Sequence, residues 1–233
     1  MQIFGATSNQ VQERQFNVFV GISIGNKRLT PDMAKDYTEW AMQHSSGTPT
    51  ILIADKIASV NYQVLHGFDE HQAAEKARNK GVNFEQMFKR AIKRLALDEA
   101  EATEPKIIKW DDITNERYEH LYEVLVKEFE SNADFKRDVL FFVHEYLKHS
   151  NNSKPLNDDD LDKLADYILA ELPALLEGIQ VGGVVYDLLF YPTYRESGMS
   201  QFVVDLQDGK YQRLADELAL ERRNVMMESY IEN

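Results

Sequence analysis

The chain contains no cysteine. Disulfide bonds, thiolate nucleophiles and zinc–thiolate sites are therefore excluded. Positive charge is also scarce: 26 Lys and Arg stand against 39 Asp and Glu, for a net charge of −13. That balance favours solubility and opposes general adhesion to nucleic acid or anionic membrane, so any nucleic-acid contact must be local. No run approaches the ~18–20 consecutive apolar residues of a membrane span, and Met1-Gln2-Ile3-Phe4-Gly5 lacks the basic-then-apolar order of a secretion signal. The expectation is a soluble, cytoplasmic protein that engages neither membrane nor DNA. The sequence has no G-x-x-x-x-G-K-[ST] loop, no G-x-G-x-x-G and no H-E-x-x-H. No metal cluster is evident among His44, His66, His71, His120, His144 and His149. Nucleotide hydrolysis and metal catalysis lose support.

What is present suffices for a large core. The 233 residues are 43% hydrophobic and 11% aromatic, and one domain is expected over the whole chain, with residues 1–15 as a loosely held polar arm. Val18-Phe19-Val20 and Ile22 form a short apolar run that reads as a buried strand of a parallel sheet. Thr30 and Pro31 then signal a helix through about Gln43, and Thr50–Asp55 reads as a second buried strand. Strand, helix, strand in this spacing is a βαβ unit with a right-handed crossover. A helix is expected from Asp69 to about Ala102, interrupted or bent near Gly81. Lys106–Trp110 follows as a third strand. A helical tract from Thr114 to about His149 should break near Ser131-Asn132-Ala133-Asp134, before a loop at 150–155. Asp158–Glu177 has apolar residues at helical spacing. Val181–Phe190 and Gln201–Leu206 read as late strands, and a helix from about Tyr211 closes the chain. The fold class is α/β, Rossmann-like, with a mostly parallel central sheet flanked by helices.

Four segments could carry chemistry. Ser23 lies between Gly21 and Gly25 at the carboxyl end of the first buried strand, where open α/β sheets bind ligands, and the glycines allow the sharp turn that would present it. Tyr167 and Glu171 are four residues apart on one helix, so a phenol and a carboxylate can converge on one amino group. Residues 76–94 reverse the chain's charge balance with Lys76, Arg78, Lys80, Lys89, Arg90, Lys93 and Arg94 against Glu85 alone, a stripe suited to phosphates. Phe190-Tyr191-Pro192-Thr193-Tyr194 is an aromatic exit from a late strand, with Pro192 holding Tyr191 extended. Each also has an ordinary structural explanation: a glycine turn, an amphipathic helix, a solvated charge run, a packed strand end.

Gly21-x-Ser23-x-Gly25 formally matches the nucleophile elbow of α/β-hydrolases. Only 22 residues precede Ser23, however, and no histidine occurs after His149, which weakens a serine esterase. A non-enzymatic tRNA-binding adaptor is the other alternative.

Together the segments resemble the cyclodipeptide synthases. The matching residues are Gly21-Ile22-Ser23-Ile24-Gly25-Asn26, Asp55 with Asn61-Tyr62, the basic helix around Lys89–Arg94, Glu128-Phe129 with Asp134-Phe135, Tyr167-Ile168-Leu169-Ala170-Glu171-x-Pro173, and Tyr191. They occur in the family's order and cover roughly residues 16–205. The resemblance implies a fold similar to the catalytic domains of class I tyrosyl- and tryptophanyl-tRNA synthetases, without their ATP-binding signatures. It implies two aminoacyl-tRNAs as substrates, a cyclic dipeptide as product, and neither cofactor nor metal. Ser23 would be the nucleophile, Tyr167 and Glu171 would hold the α-ammonium, and Tyr167 would relay a proton. Tyr191 would complete the catalytic group. Gly21, Gly25, Asn26, Asp55 and Tyr118 match substrate-site positions, and Lys89, Arg90, Lys93 and Arg94 the tRNA-binding helix. Tyr191-Pro192 resembles one branch of the family and Asn26 another, so neither branch nor amino-acid specificity is assigned.

Overall fold

The structure, a computed structural model, describes residues 1–98, 104–150, 155–193 and 198–230. The elements run in order β1 (Gln2–Phe4), α1 (Ser8–Gln12), β2 (Val18–Ser23), α2 (Pro31–His44), β3 (Thr50–Ala54), α3 (Ser59–His66) and α4 (Glu70–Asp98). There follow β4 (Lys106–Lys109), α5 (Glu116–Ser131), α6 (Ala133–Lys148) and α7 (Asp158–Glu177). The last third contributes β5 (Ile179–Val181), β6 (Val184–Tyr186), β7 (Leu188–Thr193), α8 (Met199–Gln207), α9 (Gln212–Leu218) and β8 (Val225–Tyr230).

The central sheet has the order β1-β8-β7-β2-β3-β4. Every pairing is parallel except that of β1 with β8 at the edge. β5 and β6 form a separate antiparallel hairpin. Strands buried on both faces are expected to be largely apolar, as the central β2 (VFVGIS) and β3 (TILIA) are. On β2, Phe19 joins the core beneath α5–α9, whereas Val18, Val20 and Ile22 join the core beneath α2 and α4. β3 divides in the same way, Leu52 and Ala54 to one side and Ile51 and Ile53 to the other.

Local signals explain most element starts. Thr30 Oγ1 accepts the Met33 amide at 3.3 Å with Pro31 next in the chain, and Asn157 caps α7 by accepting the Asp160 amide at 2.8 Å.

Several expectations are corrected. The first 15 residues are not a loose arm: β1 is hydrogen-bonded to β8, and α1 carries a Thr7–Gln10 capping box and a buried Val11. Gln201–Leu206 is helix, because Phe202, Val203 and Leu206 fall on one helical face against the core. The C-terminal helix stops at Leu218, and the chain returns as β8, whose Val225-Met226-Met227 is buried in parallel pairing with β7. Tertiary pairing there overrides a sequence whose Glu, Arg and Met content favours helix. Val181–Phe190 divides between the hairpin and β7. α4 runs unbroken through Gly81. A Cβ at that position would sit 2.8 Å from Cβ of Asp55, so glycine serves close packing of α4 over the end of β3. The expected end of α4 near Ala102, most of the loop at 150–155 and Tyr194 lie outside the described residues.

Candidate active site

The chain builds β2, β3 and β4 outward in one direction and then returns to place β7 and β8 on the other side of β2. The crevice between β2 and β7 is the topological switch point of such a sheet. Ser23 is the last residue of β2, and Tyr191 lies on the neighbouring β7. Above them opens a cavity of about 900 Å³ whose wall includes Ser23, Asn26, Tyr167, Glu171, Tyr191 and Trp110. Its size suits a small ligand with a few convergent polar groups.

Gly21 keeps this crevice open. A Cβ there would come within 2.7 Å of Leu189 Cδ1 and 3.5 Å of Tyr191 Cδ2. The turn after β2 is closed by the Asn26 amide donating to the Ser23 carbonyl at 3.0 Å, and the Gly25 amide donates to Ser23 Oγ at 3.3 Å. Asn26 ties the turn to β7, its Nδ2 reaching the Pro192 carbonyl at 3.4 Å.

Tyr167 and Glu171 face the cavity one turn apart on α7, and the phenol donates to Glu171 Oε1 at 2.8 Å. Burial raises the Glu171 carboxyl to about 7, while the Tyr167 hydrogen bond pulls it down. Burial also pushes the Tyr167 phenol well above its ordinary range, with Glu171 and Tyr191 adding to the rise and a hydrogen bond from Ser23 opposing it. Ser23, Tyr167 and Glu171 thus form one polar chain inside a poorly hydrated wall, where electrostatic contacts are strengthened.

Two expected site residues stand behind the wall. Asp55 is buried, and its Oδ1 accepts the backbone amides of Lys56 at 2.8 Å and Trp110 at 3.4 Å. Tyr118 accepts the Trp110 indole N–H at 3.1 Å and donates to the Ala170 carbonyl at 2.8 Å, with burial pushing its phenol up to about 12. Both hold Trp110, and Tyr118 also holds α7 beside Glu171.

α4 buries Phe84, Phe88, Ala91, Ile92 and Leu95 and exposes Lys89, Arg90, Lys93 and Arg94 away from the cavity. Lys89 meets Glu85 at 2.6 Å, and Arg94 approaches Asp32 at 3.7 Å. Lys80, one of the basic residues expected on α4, lines the cavity, and sequence reasoning missed other residues of its wall: Lys27 and Arg28 on the turn, and Ser200 with Glu228. Ser200 Oγ donates to the buried Glu228 at 2.5 Å. Lys27-Arg28 follows the glycine turn directly and was the available signal; Ser200 and Glu228 carried none, since their elements had been read as the wrong type.

The sequence model of the cyclodipeptide synthase family matches residues 1–203. A cyclo(L-leucyl-L-leucyl) synthase of Staphylococcus haemolyticus is 25% identical over 198 residues, 81% of this chain and 80% of that protein. The crystal structure of a cyclodipeptide synthase from Bacillus thermoamylovorans superposes with a TM-score of 0.71 at 18% identity, over 96% of this chain and 93% of that one. A cyclodipeptide synthase from Candidatus Glomeribacter gigasporarum, solved bound to Phe-tRNAPhe, gives a TM-score of 0.57 at 14% identity, over 93% of this chain and 90% of that one. With the family's sequence pattern running from the first strand into α8, and the sheet shared with its solved members, the chain belongs to the cyclodipeptide synthase family.

Proposed function

We propose that this chain, acting as one catalytic domain in the cytoplasm, joins the aminoacyl groups of two aminoacyl-tRNAs into a cyclic dipeptide through covalent Ser23 intermediates. The observation that carries the reading is the Ser23–Tyr167–Glu171 chain at the switch point of the sheet. An aminoacyl-tRNA ester is already activated, so acyl transfer needs only a positioned nucleophile and a held amino group.

Ser23 Oγ attacks the first ester carbonyl, and the ribose oxygen leaves with a proton. Glu171, ionised, holds the α-ammonium with Tyr167 beside it. With its carboxyl near 7, Glu171 is also matched to take the ammonium proton and free the amine. That amine attacks the second ester carbonyl and releases the second tRNA, leaving a dipeptidyl-Ser23 ester. The new terminal amine then attacks this ester, closing the six-membered ring, while its proton passes to Ser23 Oγ through Tyr167. Tyr191 bounds the site on the β7 side, Gly21 leaves space for the acyl side chain, and Gly25 and Asn26 hold the turn.

Lys89, Arg90, Lys93 and Arg94 offer their exposed face to tRNA phosphates, which reconciles an RNA substrate with a net charge of −13. The tRNA-bound relative supports this class of substrate. An esterase reading has less support: among the described residues no histidine hydrogen-bonds Ser23, whose hydroxyl meets Gly25 N–H and Tyr167. The test is mass spectrometry of the culture medium from a bacterial host expressing the wild type or Ser23→Ala. Diketopiperazines from the wild type alone are expected; equal amounts from both exclude Ser23 as nucleophile.

A further inference from the structure

Lys27 and Lys80 stand on the wall of the Ser23 cavity, although they come from different elements. Lys27 belongs to the turn after β2. That turn is fixed to β2 by the Asn26 amide on the Ser23 carbonyl at 3.0 Å and to β7 by Asn26 Nδ2 on the Pro192 carbonyl at 3.4 Å. Asn26 Oδ1 also accepts the Arg28 amide at 3.1 Å. Lys27 is therefore offered by a turn with little freedom to retreat. Lys80 precedes Gly81, the residue that lets α4 pack against Asp55 with no Cβ between them. The same close approach delivers Lys80, half-buried, to the cavity.

Burial lowers the ammonium pKa of Lys80, and the neighbouring charges of Lys27 and Lys76 lower it further. Among the described residues no carboxylate forms an ion pair with Lys27, Lys76 or Lys80. In a chain with 39 acidic residues against 26 basic ones, three neighbouring ammoniums without a carboxylate partner, two of them on the cavity wall, make a local positive field suited to an anion.

We propose that Lys27 and Lys80, backed by Lys76, bind the phosphodiester nearest the scissile ester, the one joining the terminal nucleoside of the acyl donor to the rest of its RNA. This rests on the aminoacyl-tRNA reading of the site. Lys80 and the Lys89–Arg94 stripe engage different phosphates, because at 1.5 Å per residue the stripe begins and ends about 14 and 21 Å further along the axis of α4. The stripe holds the body of the RNA. The Lys27–Lys80 pair positions the reacting end, and makes turnover depend on a single phosphate beside the ester.

The test compares three acyl donors carrying the same amino acid: aminoacyl-tRNA, an aminoacylated cytidyl-adenosine dinucleotide with one phosphodiester, and aminoacyl-adenosine with none. kcat/KM for the dinucleotide and the nucleoside is measured on the wild type, Lys80→Met and Lys27→Met, with melting temperatures as the check on folding. The wild type should prefer the dinucleotide, and each substitution should cut that preference by about tenfold, the size of one lost charge-assisted contact. An unchanged preference, or equal losses on dinucleotide and nucleoside, overturns the proposal. Binding of fluorescent, unacylated cytidyl-adenosine is followed in parallel. If the wild type makes no cyclic dipeptide from any donor, the functional reading fails, yet weaker dinucleotide binding by the Lys80 variant still supports the phosphate site and equal binding rejects it.

Discussion

Tyr167 donates its hydroxyl to Glu171 across 2.8 Å, from one turn of α7 to the next. The pair is enclosed on one side by the core and open on the other to the cavity that holds Ser23. The Glu171 carboxylate is thereby kept poorly hydrated, and burial raises its pKa to about 7.

The first consequence is a pH dependence. Below pH 7 Glu171 carries a proton and cannot hold an α-ammonium; above it the carboxylate is available. kcat/KM should therefore fall about tenfold per pH unit below pH 7, the slope of one essential deprotonated group on the free enzyme. Glu171→Gln should lose this limb along with most activity. A wild-type limb breaking near the ordinary glutamate value would contradict the assignment.

The same burial makes a prediction about stability. Glu171 has a raised pKa in the folded chain, so the folded state binds the proton more tightly than the unfolded one. Protonation thus favours folding at low pH, and this contribution is lost as pH rises from the unfolded value of 4.5 through about 7. Glu171→Gln keeps the carbonyl acceptor for Tyr167 and removes the charge. Its melting temperature relative to wild type should rise between pH 5 and pH 8; a difference that is flat or falls with pH would reject the buried-charge account.

Gly81→Ala should destabilise the fold, although alanine is the better helix former by about 1 kcal/mol. The added Cβ meets Cβ of Asp55 at 2.8 Å, not a flexible side-chain end. Displacing Asp55 loosens its bonds to the Lys56 and Trp110 amides, and Trp110 lines the cavity. Denaturant unfolding should show a loss of about 1–3 kcal/mol, typical of overpacking, and product formation should drop with it. A stability gain would mean that propensity outweighs the contact.

Lys93→Glu reverses an exposed charge on α4 far from Ser23. KM for aminoacyl-tRNA should rise several-fold at low salt, with kcat at saturation retained and the difference shrinking as salt is added. An unchanged KM removes the helix from the tRNA interface.

The sequence was most legible where one physical rule acted alone. β2 and β3 are continuous apolar runs ending in turn signals, and α7 has a capped start and a regular apolar stripe. Tyr167 and Glu171 could be placed together from helical spacing, because four residues on a helix fix their own geometry. What failed needed a partner distant in sequence. β8 is strand only because β7 lies beside it, and β1 is ordered only because β8 offers an edge. Asp55 stands at a strand end as expected, but its carboxylate is taken by the amides of Lys56 and Trp110. The basic residues of α4 looked uniform in sequence, yet Gly81 packing brings Lys80 to the cavity while Lys89–Arg94 stay outside it.

The central claim is that Ser23 accepts an aminoacyl group. The most direct measurement is intact-protein mass spectrometry after rapid acid quenching of enzyme mixed with a single aminoacyl-tRNA, followed by peptide mapping. The account predicts an added mass equal to one aminoacyl residue, located on the Ser23 peptide, absent from Ser23→Ala and chased into cyclic dipeptide by a second aminoacyl-tRNA. Cyclic dipeptide formed with the adduct on another residue, or at an undiminished rate by Ser23→Ala, would contradict it.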